Sequence, residues 1–211
     1  MSKEIERRFI PRGAGEIRAA KREDGKVGIV GTAAVVDSLS DEIFGFREKI
    51  ADGAFDAALK KSDVRGLFNH DPNFVLGRVK SGTMTLRADE RGLHYEIAEL
   101  PESRADVAEA IQRGDVDGNS FAFTVEKDSW EYRKDGSAIR TITEFGELFD
   151  VGPVTYPAYP ATTVSARAKE MAGKREEPQT PEIPKQPEPE VPDLSAERQK
   201  LLLAEVEQDI A

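Results

Sequence analysis

The sequence predicts a mainly β fold with peripheral helices, an α+β chain whose antiparallel strands form a barrel or a sandwich. Three observations carry this. Two pairs of apolar, β-branched runs are each joined by a short turn, the body holds only two helical stretches, and half of the 12 prolines crowd between Pro178 and Pro192. Strands of this kind read as hairpins when a polar or glycine-containing turn separates them.

The elements follow in order. Residues 1–14, MSKEIERRFIPRGA, form a charged N-terminal arm without the apolar stretch of a secretory signal. KVGIVGTAAVV at 26–36 is rich in β-branched residues and glycine, and VRGLF at 64–68 and VLGRVK at 75–80 are short apolar runs. Between them, Asp52 is placed to cap a helix over GAFDAALKK, with Phe55 and Leu59 on one face. GTMTLRAD and RGLHYEIAEL flank Asp89-Glu90 as a hairpin; Leu93, Tyr95 and Ile97 alternate with His94 and Glu96, the pattern of a half-buried strand. PESRADVAEAIQRG predicts a second helix that starts at Pro101, buries Val107, Ala108 and Ile111, and stops at Gly114. FAFTVEKDSWEYR and SAIRTITEFGELFDV flank Lys134-Asp135-Gly136, where Asp-Gly is a strong turn signal.

The body therefore spans residues 15–167. Prolines mixed with Glu, Gln and Lys favour extended, solvated backbone, so 168–192 reads as a linker. Beyond it, 193–211 predicts a short helix capped by Asp193 or Ser195, with Leu202, Val206 and Ile210 in a stripe. The tail as a whole reads as disordered, the helix being marginal without a partner.

Composition bounds the function. With 38% hydrophobic and 33% charged residues, the chain has apolar material for one core, and no run approaches the ~20 residues that span a bilayer. Zero cysteines exclude disulfides, thiolate metal sites and a cysteine nucleophile. A net charge of −10 argues against general nucleic-acid affinity, which rests on neutralising phosphates. The expectation is a soluble, intracellular-type protein with no nucleic-acid or membrane partner.

Three stretches could carry chemistry. In GLFNHDPNFVLGR, His70 lies in a polar loop after a short strand and reads as an exposed turn residue, a metal ligand or a general base. A His-Asp metal site needs further ligands, and only His94, itself on the polar face of its strand, could help. In GDVDGNSFAFTV, Gly118-Asn119 reads as a turn and Ser120 as a strand start. Alternation then puts Phe121, Phe123 and Val125 into the core and leaves Ser120 on a face of small residues with room for a substrate. That serine is either unremarkable or a nucleophile; the Gly-x-Ser-x-Gly elbow is absent. In ELFDVGPV, Asp150 sits between Phe149 and Val151, either facing water or buried against a cation such as an imidazolium.

Four blocks, taken together, carry a resemblance: GTAAVVDSLSDEIFGFREKIADGAFDAAL, LFNHDPNFVLGRVKSGTMTLRADERGLHYEIAELP, RGDVDGNSFAFTV and ELFDVGPVTYPAYPATTVSAR. They cover about residues 15–167, and the chain resembles the prohead (capsid maturation) proteases of tailed bacteriophages, a family related in fold to the herpesvirus assemblin proteases. The resemblance implies an antiparallel β-barrel of the herpesvirus-protease type and a serine endopeptidase without cofactor or metal. It implies Ser120 as nucleophile, His70 as general base and Asp150 as the group that orients His70. The family commonly carries Glu where this chain has Asp150, so Glu144 and Glu147 are alternatives for that third role. By unbroken alternation Glu144 shares the face of Asp150 and Glu147 does not.

The same resemblance implies that the substrates are the assembly scaffold or the scaffold-like segment of the major capsid protein, and the enzyme itself. It implies self-association and a location in the host cytoplasm, inside the assembling procapsid. Two other classes stand beside it: a non-catalytic capsid-assembly or scaffolding protein with a protease-like body, and a metal-dependent hydrolase.

Overall fold

The computed structural model describes residues 4–10, 13–21, 24–43, 45–156 and 166–173. The chain divides into a unit Met1–Pro178 and a unit Gln179–Ala211, and every described residue belongs to the first. The expected helix at 193–211 and residues 174–192 of the expected linker lie outside the described residues.

Two long strands form the spine: β9 (Gly118–Tyr132) and β10 (Ala138–Val154) pair antiparallel through the predicted Asp135-Gly136 turn. β10 has two different partners on its other flank. Its first half takes β4 (Phe46–Ile50) and its second half takes β5 (Arg65–Leu67), both in parallel. A helical turn, α1 (Asp56–Leu59), connects β4 to β5, so both run in the direction of β10. β6 (Val75–Arg78) closes one edge against β5, and β1 (Glu6–Ile10) forms the other edge against β9.

A second, antiparallel sheet holds β2 (Ile17–Lys21), β3 (Val27–Val35), β8 (Gly92–Ile97) and β7 (Thr85–Asp89), in that spatial order. Leu93, Tyr95 and Ile97 of β8 point into the core as their alternation predicts. They share that core with an aromatic cluster of Phe55, Phe121, Phe123 and Phe145, whose Phe55 and Phe145 rings stack with centroids 4.4 Å apart. Helix α2 (Ala105–Arg113), entered through a 3-10 turn at Glu102–Arg104, buries Val107, Ala108 and Ile111 and stops at Gly114, as the sequence predicts.

Four expectations need correction. Among the described residues the strands form two sheets and no closed barrel, and the first sheet mixes parallel with antiparallel pairs. The charged N-terminal arm contributes to the fold rather than standing apart from it: β1 lies within it, its Glu6 buried in an ion network. The body does not end at 167, because α3 (Ala166–Gly173) sets Ala168 and Ala172, one helical turn apart, against Ile43, Phe46, Ala138 and Trp130. Asp52 does not cap α1, whose N-cap is Phe55 with no side-chain hydrogen bond. Among the described residues no helix is long and apolar enough to cross a membrane.

Candidate active site

The loop between β5 and β6 presents His70. The turn closes on itself: Phe68 N–H donates to Phe74 O (3.1 Å), Asp71 N–H to Phe68 O (3.0 Å), and Asn73 N–H to the Asp71 carboxylate (2.8 Å). Asp71 is thereby spent on the turn, as Asx side chains commonly are. Asn69 ties the loop to the end of β10. Its N–H donates to Pro153 O (3.0 Å), its Oδ1 accepts from Thr155 N–H (2.8 Å), and its Nδ2 donates to Thr155 Oγ1 (3.1 Å). Asn69 and His70 both adopt left-handed backbone, φ +55° and +57°. Such conformations in non-glycine residues persist where surrounding bonds over-determine them. Here they turn the imidazole back toward β9 and β10.

Those strands present the other two residues. Gly152 of β10 pairs with Ser120 of β9, and Asp150 pairs with Ala122, so Asp150 and Ser120 share one sheet face. Gly152 has no side chain for a reason: a Cβ there would sit 2.0 Å from Leu67 O of β5. The His70 ring bridges the pair, its Nδ1 2.5 Å from Asp150 Oδ1 and its Nε2 2.6 Å from Ser120 Oγ. With the proton on Nδ1, His70 donates to the carboxylate and leaves Nε2 free to accept from the hydroxyl. Asp150 is buried, and the imidazole is the partner its burial requires.

The alternatives for the third position fall elsewhere. Register shifts interrupt β10 between Ile142 and Asp150, so simple alternation from Asp150 fails there. Glu144 ion-pairs with Lys127 at 2.5 Å, and Glu147 is exposed opposite Thr124. His94 stays on the second sheet, its Nδ1 3.2 Å from Thr32 Oγ1 and its Nε2 3.0 Å from Asp89 Oδ1. The Arg91 backbone N–H, His94 and Arg87 together hold the Asp89 carboxyl well below the usual carboxylate range. The two histidines are not brought together. Arg78, close to the His70 loop in sequence, is bound to the Asp63 carboxylate.

The surroundings of Ser120 differ from expectation. Ser120, Ala122 and Thr124 are all buried, so the predicted open face of small residues is covered. Gly118 and Asn119 belong to β9 rather than to a turn. Asn119 crosses to the second sheet, its Oδ1 accepting from Tyr95 O–H at 2.7 Å and its Nδ2 donating to Glu16 O at 3.1 Å. Sequence reasoning missed the positioning role of Asn69 and Asn119, both hidden in stretches that read as turns.

It also missed a buried ion network under β1. The Arg140 guanidinium donates to Glu6 (2.8 and 3.1 Å), Glu48 (3.1 Å) and Asp128 (2.9 Å), and Arg8 donates to Glu6 (2.7 Å) and Glu48 (2.7 and 2.8 Å). Burial pushes the Glu6 carboxyl up, but its bonds to Arg140 and the charge of Arg8 outweigh that and hold it below its ordinary value. Each of these carboxylates meets at least one guanidinium, the pairing that buried charges require.

A hydroxyl, an imidazole and a carboxylate in hydrogen-bonded series on a mainly β scaffold is the side-chain arrangement that serine hydrolases use. The chain belongs to the Caudovirus prohead serine protease family, which matches it over residues 15–176. No curated protein matches the chain in sequence. Among solved structures it is similar to the bacteriophage T4 capsid assembly protease, gp21, with 14% identity and a TM-score of 0.46 over 74% of this chain and 100% of that one.

Proposed function

We propose that this protein is a serine endopeptidase of procapsid maturation, with Ser120 as nucleophile, His70 as general base and then acid, and Asp150 as the group that orients His70. The observation that carries the reading is the unbroken contact series Asp150–His70–Ser120, at 2.5 and 2.6 Å. Membership in the prohead serine protease family supports it.

The chemistry follows from those atoms. A serine hydroxyl is a weak nucleophile at neutral pH, so Nε2 of His70 takes its proton as Oγ bonds to the peptide carbonyl carbon. The imidazolium that forms is stabilised by Asp150, which keeps its negative charge. The same Nε2–H then protonates the leaving amine as the C–N bond breaks, giving an acyl-enzyme. Water, deprotonated by His70, attacks the ester and releases the second fragment. No metal or cofactor takes part in these steps.

The substrates in this reading are the assembly scaffold or the scaffold-like segment of the major capsid protein, together with the enzyme's own chain. The protein acts inside the procapsid in the host cell. A non-catalytic assembly role is favoured by one observation, the complete burial of Ser120. A fluorophosphonate separates the two: a covalent adduct on Ser120, with loss of capsid-protein cleavage in Ser120→Ala, is the expected result. Processing that persists in Ser120→Ala sinks the assignment.

A further inference from the structure

The strand β1 lies where nothing should lie if Ser120 is to meet a peptide. It pairs antiparallel with the stretch of β9 that contains the serine, Phe9 opposite Ser120 and Arg7 opposite Ala122. Ser120 has 0% of its surface exposed, while the His70 side chain keeps 13%. The Arg8 carbonyl accepts from Ser120 Oγ at 2.9 Å, although a hydroxyl has one proton and His70 Nε2 also needs it. The Phe9 ring completes the cover, lying over Gly118 so closely that a Cβ there would sit 2.2 Å from it.

Resting on the reading of Ser120 as nucleophile, we propose that β1 is an internal strap. It occupies the edge of β9 and must leave before an extended peptide can pair there and reach the serine. Peptide recognition by strand addition uses such a sheet edge, and only one strand can hold it at a time.

The strap is built to be held and to be removable. Its hold comes from two charges of its own, Glu6 and Arg8, bound to Glu48 and Arg140. When it leaves, Arg140 keeps Glu48 and Asp128 as partners, so no lone buried charge remains there. β1 is an edge strand with β9 as its one strand partner among the described residues. A cavity of about 520 Å³, lined by Phe9, Leu39, Ile43 and Ile50 among others, lies against it. Among the described residues, the outer edge of the strap is thus hydrogen-bonded to no second strand, although its face packs against β3.

The test uses the full chain, which has no cysteine. Arg7→Cys with Ala122→Cys places one thiol on each strand at paired positions, so oxidation locks β1 to β9 and reduction frees it. Phe9→Ala, made separately, loosens the strap. Fluorophosphonate labelling of Ser120 is followed by mass spectrometry. Oxidation is expected to slow labelling by on the order of tenfold or more, because reactivity scales with the fraction of molecules in the open state. Reduction restores it, and Phe9→Ala labels faster than the parent chain. Labelling of the oxidised protein at the reduced rate overturns the strap and leaves the nucleophile intact. If amide exchange over Glu6–Ile10 shows β1 released in Phe9→Ala and Ser120 still takes no label, the nucleophile reading falls, and the strap with it.

Discussion

Three side chains define the site, and each has a distinct expected phenotype. Ser120→Ala removes one hydroxyl from a packed strand and is expected to fold normally while losing peptide hydrolysis by several orders of magnitude, roughly 10⁴-fold or more. His70→Ala should be equally inactive in the same assay, whereas His94→Ala should still cleave, since His94 serves Thr32 and Asp89 on the other sheet. Asp150→Asn keeps the size but cannot stabilise the imidazolium and favours the wrong tautomer, so its rate should fall less completely than that of the other two. A normal rate in Asp150→Asn with loss in Glu147→Gln would move the third role. These residues were legible beforehand because His70, Ser120 and Asp150 sit in recognisable stretches. Their neighbours Asn69 and Asn119 were not, since an Asn in a turn-like stretch gives no sign of a partner 86 residues away, as Asn69 has in Thr155.

At the scale of elements, β1 and the ion network beneath it are the least expected feature. IERRFI lies in what reads as a charged arm, yet Glu6 and Arg140 are both buried and ion-paired with each other, with Arg8, Glu48 and Asp128 completing the network. Arg140→Ala leaves Glu6 and Glu48 with one shared cation, and removal of one partner from a buried network is expected to cost about 3–5 kcal/mol, measurable by urea unfolding. The Glu6 carboxyl is held below its ordinary value, so the folded state binds its proton less readily than the unfolded chain. Its contribution to stability is therefore present above the unfolded carboxylate pKa of about 4.3 and is lost as pH falls through the lower folded value. Stability should accordingly drop on the acid side, and Glu6→Gln should flatten that drop in denaturation curves taken between neutral and acid pH. The hairpins were legible because their turns are local; the parallel pairing of β4 and β5 with β10 was not, because it joins segments some 90 residues apart, as Phe46 and Ala138 are.

For the molecule as a whole, the position of the C-terminal boundary is testable. A chain ending at Gly173 keeps α3 and should unfold like the full chain. One ending at Arg167 uncovers Phe46 and Trp130 and loses the hydrogen bond from Tyr132 O–H to Met171 O (2.9 Å). That loss is expected to lower stability by roughly 1–3 kcal/mol, read as a lower Tm by calorimetry, with peptide hydrolysis retained below the transition. Equal Tm values for the two chains would place the boundary back at 167.

Taken alone, the sequence determined the β class, both hairpins, the second helix and its stop, and it singled out Ser120, His70 and, with Glu144 and Glu147 as alternatives, Asp150. These follow from alternation, turn chemistry and short motifs, all of which act over a few residues or, for the site, through family resemblance. Tertiary structure decided the rest. It opened the expected barrel into two sheets, folded the charged arm into a strand, set α3 against Phe46 and placed Arg8 O on the serine. Each of those outcomes depends on a partner far along the chain. A charged or small residue is buried or exposed according to what packs on it, and local pattern does not carry that information.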